Sequence, residues 1–588
     1  MRNKVLNKRN KSSATYISWI LIAQSLSIIG FLSTRKFPNL VRIVGNDLEA
    51  PVFRGSEITA IIASTVILIT ARGIGLGRSR AWTTAVTLQS FLILNSIFHA
   101  ISQFVLKHSN AEVALRSLGI SHLISEMAIL AILIHFKSDF RTKSDNQTLA
   151  RAILLTFRIT LITSLVAVAF VAFDRRSFVV LPNFYQILEV AFKGLLGISS
   201  SIQYVSERAQ LRTELTLAAL GLLIAITSTL QFLRPNIYRH KIDLESQNLV
   251  RDLLQKYPDH DSLSYFALRN EKNFIWSKNR KAVIPYSVVN GVMITTGDPI
   301  GDTESWPAAM AAYCAEAELH AWIPAVYGCS EEAGLIWVRE TGFESLEIGD
   351  EAVVVAENFS LEGPEMKKVR QMVNQAKRKN YISEVRKISE IDKSDLDNLR
   401  NLANVWRRGG DERGFSMALG RFGDSSDPEI VISVAKQDGE IKGFLQFVPW
   451  GSQGLSLDSM RRSPDAESGI NELLISATIE YAKNQNISEI SLNFATFRSV
   501  FEKGERLGAG PIIRITYKTL IFLSKYFQME SLYRFNSKFR PIWKSRYVLF
   551  PGVGKLIRVS VAILMIESFL PKIKLTKSKK PGELIAST

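Results

Sequence analysis

The sequence predicts a polytopic α-helical membrane domain followed by an α/β (α+β) soluble domain that repeats one plan twice. Three observations carry this reading. Apolar runs long enough to cross a bilayer succeed one another up to about residue 235, where roughly 20 residues suffice for a span. From about residue 245 the pattern changes to alternating strands and amphipathic helices. Within that second half, the order hairpin, loop, helix, strand occurs twice. At 588 residues the chain exceeds what one hydrophobic core organises. A mean hydropathy of +0.09 beside 22% charged residues is the average of a very apolar part and an ordinary globular one.

In chain order, spans are expected at 16–33, 56–71, 82–105, 114–136, 152–173 and 213–233. The stretch 186–204 carries Glu189 and Lys193 among several Gly and Ser residues, and reads as a re-entrant or surface-lying helix. The first run follows a basic start (Arg2, Lys4, Lys8, Arg9, Lys11) like that of a signal peptide, but the further runs make it an anchor. Arg72, Arg78 and Arg80, then Lys137, Arg141, Lys143 and Arg151, fall on the side of that basic start. Six crossings therefore leave the second half in the cytoplasm of a multi-pass cell-membrane protein. His122 and Glu126, four residues apart, share a helix face as either a functional or a self-satisfied polar pair.

A net charge of +17 points to an anionic partner, nucleic acid or lipid. Cys314 and Cys329 have no metal-ligand spacing, and the seven histidines form no HExxH motif. No metal site and no cofactor are expected.

In the second half, Tyr286–Thr295 places Asn290-Gly291 between apolar strands, the strongest short-range hairpin signal. A helix near 304–320 and a strand at Trp322–Tyr327 follow. The second pass runs through Ile430–Ala435, a turn at Asp438-Gly439, Ile441–Val448, Leu455–Met460, a helix near 467–484 and a strand at Ile487–Phe494. Tandem modules of this order resemble the GCN5-related acyltransferase (GNAT) fold. That fold binds acetyl-CoA on a glycine-rich loop after its fourth strand. Here that position reads Arg461-Arg-Ser-Pro-Asp-Ala466 in one module and Gly297-Asp-Pro-Ile-Gly-Asp302 in the other, and neither matches. The expected divisions are 1–240 (membrane), 241–380 (first module, ending in a basic linking helix), 381–558 (second module) and 559–588 (interfacial helix and basic tail).

Six further words stand in one order: Gly297-Asp-Pro-Ile-Gly301; Gly342-Phe343 with Ile348-Gly-Asp-Glu-Ala352; Phe359-Ser-Leu-Glu-Gly363 with Lys368-x-Arg370; Gly414-Phe-Ser416; Leu457-Asp-Ser-Met-Arg-Arg462; and Lys538-Phe-Arg-Pro-Ile-Trp543. In this order they resemble the phosphatidylglycerol lysyltransferase family, the catalytic part of multiple-peptide-resistance-factor proteins, over roughly residues 255–555. The resemblance implies an aminoacyl-tRNA-dependent transferase. It would move an amino acid, lysine first and alanine next, onto the glycerol hydroxyl of phosphatidylglycerol and so weaken binding of cationic peptides. It implies aminoacyl-tRNA, phosphatidylglycerol and anionic membrane lipids as partners; a homo-oligomer is a further expectation. The alternatives are a tandem acyltransferase with another donor or lipid acceptor, such as diacylglycerol, and a non-enzymatic membrane scaffold or transporter.

On the same resemblance Asp458, Arg461 and Lys538 are the catalytic candidates. Asp458 would position a donor or the α-amino group, with Arg461 on the lipid phosphate or the tRNA 3′ end. Their plain alternative is a structural ion pair; for Lys538, a second phosphate-binding cation, it is a surface lysine. Arg462, Asp298 and Glu362 are substrate-binding candidates, the last two better suited to holding loops. In Met366–Asn380, Met366, Val369, Val373 and Ala376 form an apolar stripe at helical spacing. Lys367, Lys368, Arg370, Lys377 and Arg378 crowd the rest of that surface, a tRNA-binding face or a merely solvated one. The apolar run at 559–570 and the tail Lys572–Lys580 read as an interfacial helix with a polybasic patch.

Overall fold

The computed structural model describes residues 13–28, 57–75, 77–106, 120–140, 146–198, 200, 202–233, 244–257, 261–407, 414–496 and 529–570. The chain divides into two compact units, one centred on residues up to Ile237 and the other on residues from Tyr238.

The first unit is helical: α1 (Ser13–Ile28), α2 (Glu57–Gly75), α3 (Ser79–Leu106), α4 (Ile120–His135), α5 (Asn146–Phe173), α6 (Phe184–Leu195) and α7 (Glu207–Phe232). Among the described residues, the segments Ala152–Phe173 and Glu207–Phe232 are long and apolar enough to cross a bilayer. The α5 segment keeps the apolar side chains of Phe157, Ile162 and Leu165 about three-fifths exposed. The other expected spans map onto α1 to α4, and the apolar stretches of α1, α2 and α4 are shorter. The 186–204 stretch contains α6, a 12-residue helix, about half the length a span needs. Asn183 and Gln186 form its capping box, and Glu189 pairs with Lys193 one turn on. Glu126 is buried in α4; the side chain of His122 lies outside the described residues.

The second unit is built on one 12-stranded sheet. In chain order it contains α8 (Leu244–Lys256), β1 (Asn273–Trp276), β2 (Ala282–Val289), β3 (Val292–Thr296), β4 (Ile300–Gly301), α9 (Trp306–Leu319), β5 (Ile323–Cys329), α10 (Glu331–Thr341) and β6 (Glu344–Val355). The chain continues through α11 (Lys367–Arg378), β7 (Tyr381–Lys387), α12 (Lys393–Trp406), β8 (Val431–Gln437), β9 (Glu440–Trp450) and β10 (Gly454–Arg462). It closes with α13 (Ile470–Asn484), β11 (Glu489–Thr496), α14 (Met529–Asn536), β12 (Ile542–Phe550) and α15 (Val553–Ile566). Both expected hairpins form. Asn290-Gly291 and Asp438-Gly439 take positive φ at both turn residues, the requirement of a tight two-residue turn.

The strands are ordered β1-β2-β3-β5-β12-β6-β11-β10-β9-β8-β7, with β4 paired to β2. The two modules share this sheet: β12, from the end of the chain, lies between β5 and β6 of the first half. Period-2 alternation splits the core between two faces. On one face Ile284, Met293, Val326 and Leu549 meet Trp306, Tyr313 and Trp337 of α9 and α10. Val283, Ile294, Val548, Ile432 and Phe444 join a second cluster that runs under both halves and takes in Leu396 and Leu399 of α12 and Leu556, Val559 and Ile563 of α15. The apolar run placed at 559–570 therefore begins at Val553. Its stripe is matched by the sheet, so the helix packs as part of the α/β unit. In the second module Leu445, Phe447, Leu455 and Leu457 pack under α11 and α13 through Val369, Val373, Leu474 and Ile479.

Two parallel strand pairs occupy equivalent places in the repeated plan. β3 and β5 stay in register from Val292↔Ile323 to Thr296↔Tyr327. β10 and β11 pair only at Gly454↔Glu489, Leu455↔Ile490 and Ser456↔Ser491, and then separate. The first module is closed where the second is open.

Candidate active site

The opening between β10 and β11 coincides with a backbone irregularity on each strand. β10 shifts register against β9 between Leu457 and Ser459, so that Asp458 is the extra residue of a bulge. β11 shifts against β6 between Ser491 and Phe494, and Asn493 there has φ of 66°. Bulges release a residue from strand alternation and re-aim its side chain. Asn493 Nδ2 donates to the Leu457 carbonyl and ties the two strands together at the point where they part.

Asp458 is clamped from its own side of the cleft. The Leu419 N–H donates to Oδ1 at 2.6 Å, and Gln446 Nε2 of β9 donates to Oδ2. Gln446 is itself fixed, accepting from the Gly423 N–H at 2.9 Å and donating to the Arg421 carbonyl at 3.1 Å. Arg421 pairs with buried Asp427 at 2.6 Å, and Asp427 also takes Arg251 at 2.7 Å and the Tyr265 hydroxyl at 3.0 Å. The segment over Asp458 is therefore held at several points. A carboxylate oriented by fixed donors is suited to direct an amino or hydroxyl group without reorganising.

Of the remaining candidates, Arg461 and Arg462 share β10 with Asp458, and the others stand on separate elements. Arg461 lies farther along β10, opposite Phe444, half-buried, with Nη1 donating to the Met460 carbonyl at 3.1 Å; Arg462 is next and exposed. Lys538 pairs at 2.8 Å with Glu472, a buried acid in the first turn of α13, and lies over the Phe535 ring, keeping about a third of its side chain exposed. Asn536 donates to the Leu492 carbonyl, anchoring the Lys538 segment to β11 beside Asn493. Asp298 belongs to a different neighbourhood. It is buried and accepts from the Ser330 N–H at 2.8 Å and the Ser330 hydroxyl at 2.6 Å, joining its loop to the start of α10. In that loop Gly301 has φ of 104°, and a Cβ there would meet the Lys281 carbonyl at 2.2 Å, which accounts for the second glycine of the word. Glu362 is exposed in the loop before α11, where Arg370 donates to the Leu361 and Gly363 carbonyls and so closes that loop. Lys367, Lys368, Lys377 and Arg378 are exposed on α11.

Two residues that the sequence reading did not single out complete the opening. Ser456, the last paired residue of β10 with β11, is fully buried, and Asn493 is 8% exposed. Ser456 Oγ and Asn493 Oδ1 have no hydrogen-bond partner among the described residues. Neither Leu455-Ser456-Leu457 nor Ser491-Leu492-Asn493 carries a signal of this in its sequence. A groove of about 490 Å³ between α12 and the β7–β9 side of the sheet, lined by Arg386, Leu399 and Ile441 among others, includes none of the candidates. No group of His, Cys, Asp and Glu suited to a metal occurs among the described residues.

The family model for the C-terminal part of phosphatidylglycerol lysyltransferases matches residues 251–550, more than half of the chain. The chain belongs to this family. The lysyltransferase match includes the β10 bulge, the segment that clamps it and the Lys538 turn. Among curated relatives, the lysylphosphatidylglycerol biosynthesis bifunctional protein LysX of Mycobacterium marinum is 39% identical over 351 residues, covering 60% of this chain and 32% of that protein. LysX of Nocardia farcinica is 39% identical over 358 residues, covering 61% and 32%. The matched region thus spans about a third of the length of these relatives. Among solved structures, L-PGS from Bacillus licheniformis superposes with a TM-score of 0.50 at 21% identity, covering 57% of this chain and all of that one, which shows a shared fold.

Proposed function

We propose that this lysyltransferase-family chain moves an aminoacyl group, lysine first and alanine next, from charged tRNA to the glycerol hydroxyl of phosphatidylglycerol. The observation that carries the reading is the clamped Asp458 at the mouth of the β10–β11 opening. In the reaction the ester to the tRNA 3′ ribose breaks and an ester to the lipid glycerol forms. The glycerol proton ends on the ribose oxygen, and no electrons are exchanged. Ester exchange is nearly isoenergetic, so the chain needs to position both partners, move one proton and stabilise the developing oxyanion. Asp458 orients the amino group or the attacking hydroxyl, and the unpaired acceptors of Asn493 and Ser456 suit an ammonium donor beside it. Arg461 and Arg462 supply cations for a phosphate, with Lys538 a further one held by Glu472.

A thioester donor on CoA is disfavoured by the packing around α13. Its N-cap Gly469 has φ of 96°, and a Cβ there would lie 2.5 Å from the Met372 carbonyl of α11. The helix end that a GNAT fold offers to a pyrophosphate is here covered by another helix. The exposed cations of that covering helix, Lys367, Lys368, Lys377 and Arg378, suit an RNA backbone. Replacing all four with glutamate is expected to raise KM for charged tRNA and leave kcat at saturation little changed. The slope of log affinity against log salt should flatten by about 0.7 to 0.9 per lost phosphate contact, read by binding titrations across salt.

The helical unit is read as a six-span cell-membrane domain that keeps the catalytic unit cytoplasmic, where charged tRNA is found. Val553, Ile557 and Val561, exposed one turn apart along α15, suit contact with the anionic bilayer surface. Lipids extracted from cells expressing the intact chain are expected to contain aminoacyl-phosphatidylglycerol, and activity in membranes should vanish on RNase treatment. Absence of any aminoacylated lipid sinks the reading; activity that survives RNase excludes the tRNA donor.

A further inference from the structure

The C-terminal end of α15 carries a carboxyl that the proposed chemistry does not use. Glu567 is the C-cap of α15, 1% exposed. A carboxylate at a helix C-terminus faces the negative end of the dipole, and burial adds a desolvation cost. Burial pushes its carboxyl above the usual range, although the Ser416 N–H and the charges of Arg269 and Lys272 pull the other way.

What it holds is the segment that clamps Asp458. Glu567 Oε1 accepts the Ser416 N–H at 2.9 Å. Arg269, 6% exposed, donates to the Ala418 carbonyl at 3.0 Å and the Gly414 carbonyl at 3.3 Å, with its guanidinium 5.5 Å from the Phe415 ring. Lys272, 2% exposed, lies 4.9 Å over the same ring and donates to Thr296 Oγ1 at 2.7 Å. The next N–H after this grip, that of Leu419, is the one that orients Asp458.

We propose that Glu567 is a positioning residue for Asp458: from the C-terminal end of α15 it holds the Gly414–Leu419 segment so that the Leu419 N–H fixes the carboxylate. The inference rests on the reading of Asp458 given above. It also assigns a role to the Gly414-Phe-Ser416 word, which presents one carbonyl, a ring and an amide to the grip and brings no catalytic group of its own.

The test uses the full chain in membranes, with kcat and KM measured for Glu567→Ala, Glu567→Gln, Asp458→Ala and the Glu567→Ala/Asp458→Ala double variant. Glu567→Ala is expected to lower kcat by up to about 100-fold with KM little changed, because displacement of a reacting group by an ångström costs that much. Glu567→Gln keeps the Oε1 acceptor and should recover most of the rate. The double variant should be no slower than Asp458→Ala alone, since both changes act on one group. An unchanged kcat in Glu567→Ala, or a multiplicative loss in the double variant, overturns the proposal. Should Glu567→Ala fail to accumulate, Glu567→Asp withdraws the acceptor while keeping the charge, and an unchanged kcat there overturns it equally. An Asp458→Ala variant of undiminished rate instead sinks the reading on which the inference rests.

Discussion

Replacing Asp458 with alanine is expected to lower kcat by roughly 100- to 10,000-fold, the range for losing a positioned proton-handling group. Folding should be retained, because the side chain is half-buried at a bulge and not part of a core cluster. Asparagine should rescue little despite its shape. Its oxygen can accept the Leu419 N–H, but its amide nitrogen then faces Gln446 Nε2, donor against donor, and Gln446 cannot turn over without giving up the Gly423 N–H. Mass spectrometry of lipid product over time, with circular dichroism to verify folding, reads both variants. A rate within threefold of the parent for alanine removes Asp458 from the chemistry.

The second large effect is on stability. Arg546 of β12 is 4% exposed along its side chain and serves two buried acids, Asp261 at 2.5 Å and Glu351 of β6. It also donates to the Ser262 hydroxyl at 2.8 Å and the Gly328 carbonyl at 3.2 Å, while Ser262 and Ser491 donate to Glu351. This network joins the end of β5 to β6, β11 and β12, the strands through which the two halves share a sheet. Arg546→Met leaves two carboxylates buried without their cation and is expected to cost about 3–5 kcal/mol, the usual penalty for breaking a buried pair. Chemical denaturation of the parent and the variant measures it; a loss below 1 kcal/mol would show that the pair contributes little. The cost should shrink in acid. Burial pushes the Glu351 carboxyl up, but Arg546 and the two serine hydroxyls outweigh it and hold it below 4.5. A depressed carboxyl stabilises the fold above its unfolded value, and that contribution is lost as pH falls through its folded value. Asp298 has the opposite sign. Burial first, then Asp261, pushes it up to about 7, so its contribution is full below 3.8 and lost as pH rises through 7.

Local elements were legible wherever a residue type determines its own backbone. Asn290-Gly291 and Asp438-Gly439 announce their turns because few other pairs accept two positive φ values. The stripe of Val369, Val373 and Ala376 announces α11 because helical spacing puts those side chains on one face. Charge was less informative than composition suggested. Arg370 stands among the exposed cations of α11, yet it closes a loop through two carbonyls, and nothing in its spacing separates it from Lys368. Lys538 likewise reads as a free cation until Glu472, 66 residues earlier, is seen beside it. The apolar runs marked out the helical unit, and among the described residues segments of α5 and α7 are long and apolar enough to cross a bilayer.

By itself, then, the sequence determined that an apolar helical half precedes a twice-built α/β half, and which words mark its family. The tertiary structure decided that the two modules share one sheet, that only the second opens between its parallel strands, and that Asp458 stands at the opening in the grip of Leu419 and Gln446. The division has a physical cause. Turn geometry and face periodicity are short-range and are written in neighbouring residues. A bulge, an unpaired acceptor such as Asn493, or a carboxyl at the end of α15 acquires its meaning from partners far along the chain, and only folding brings them within reach.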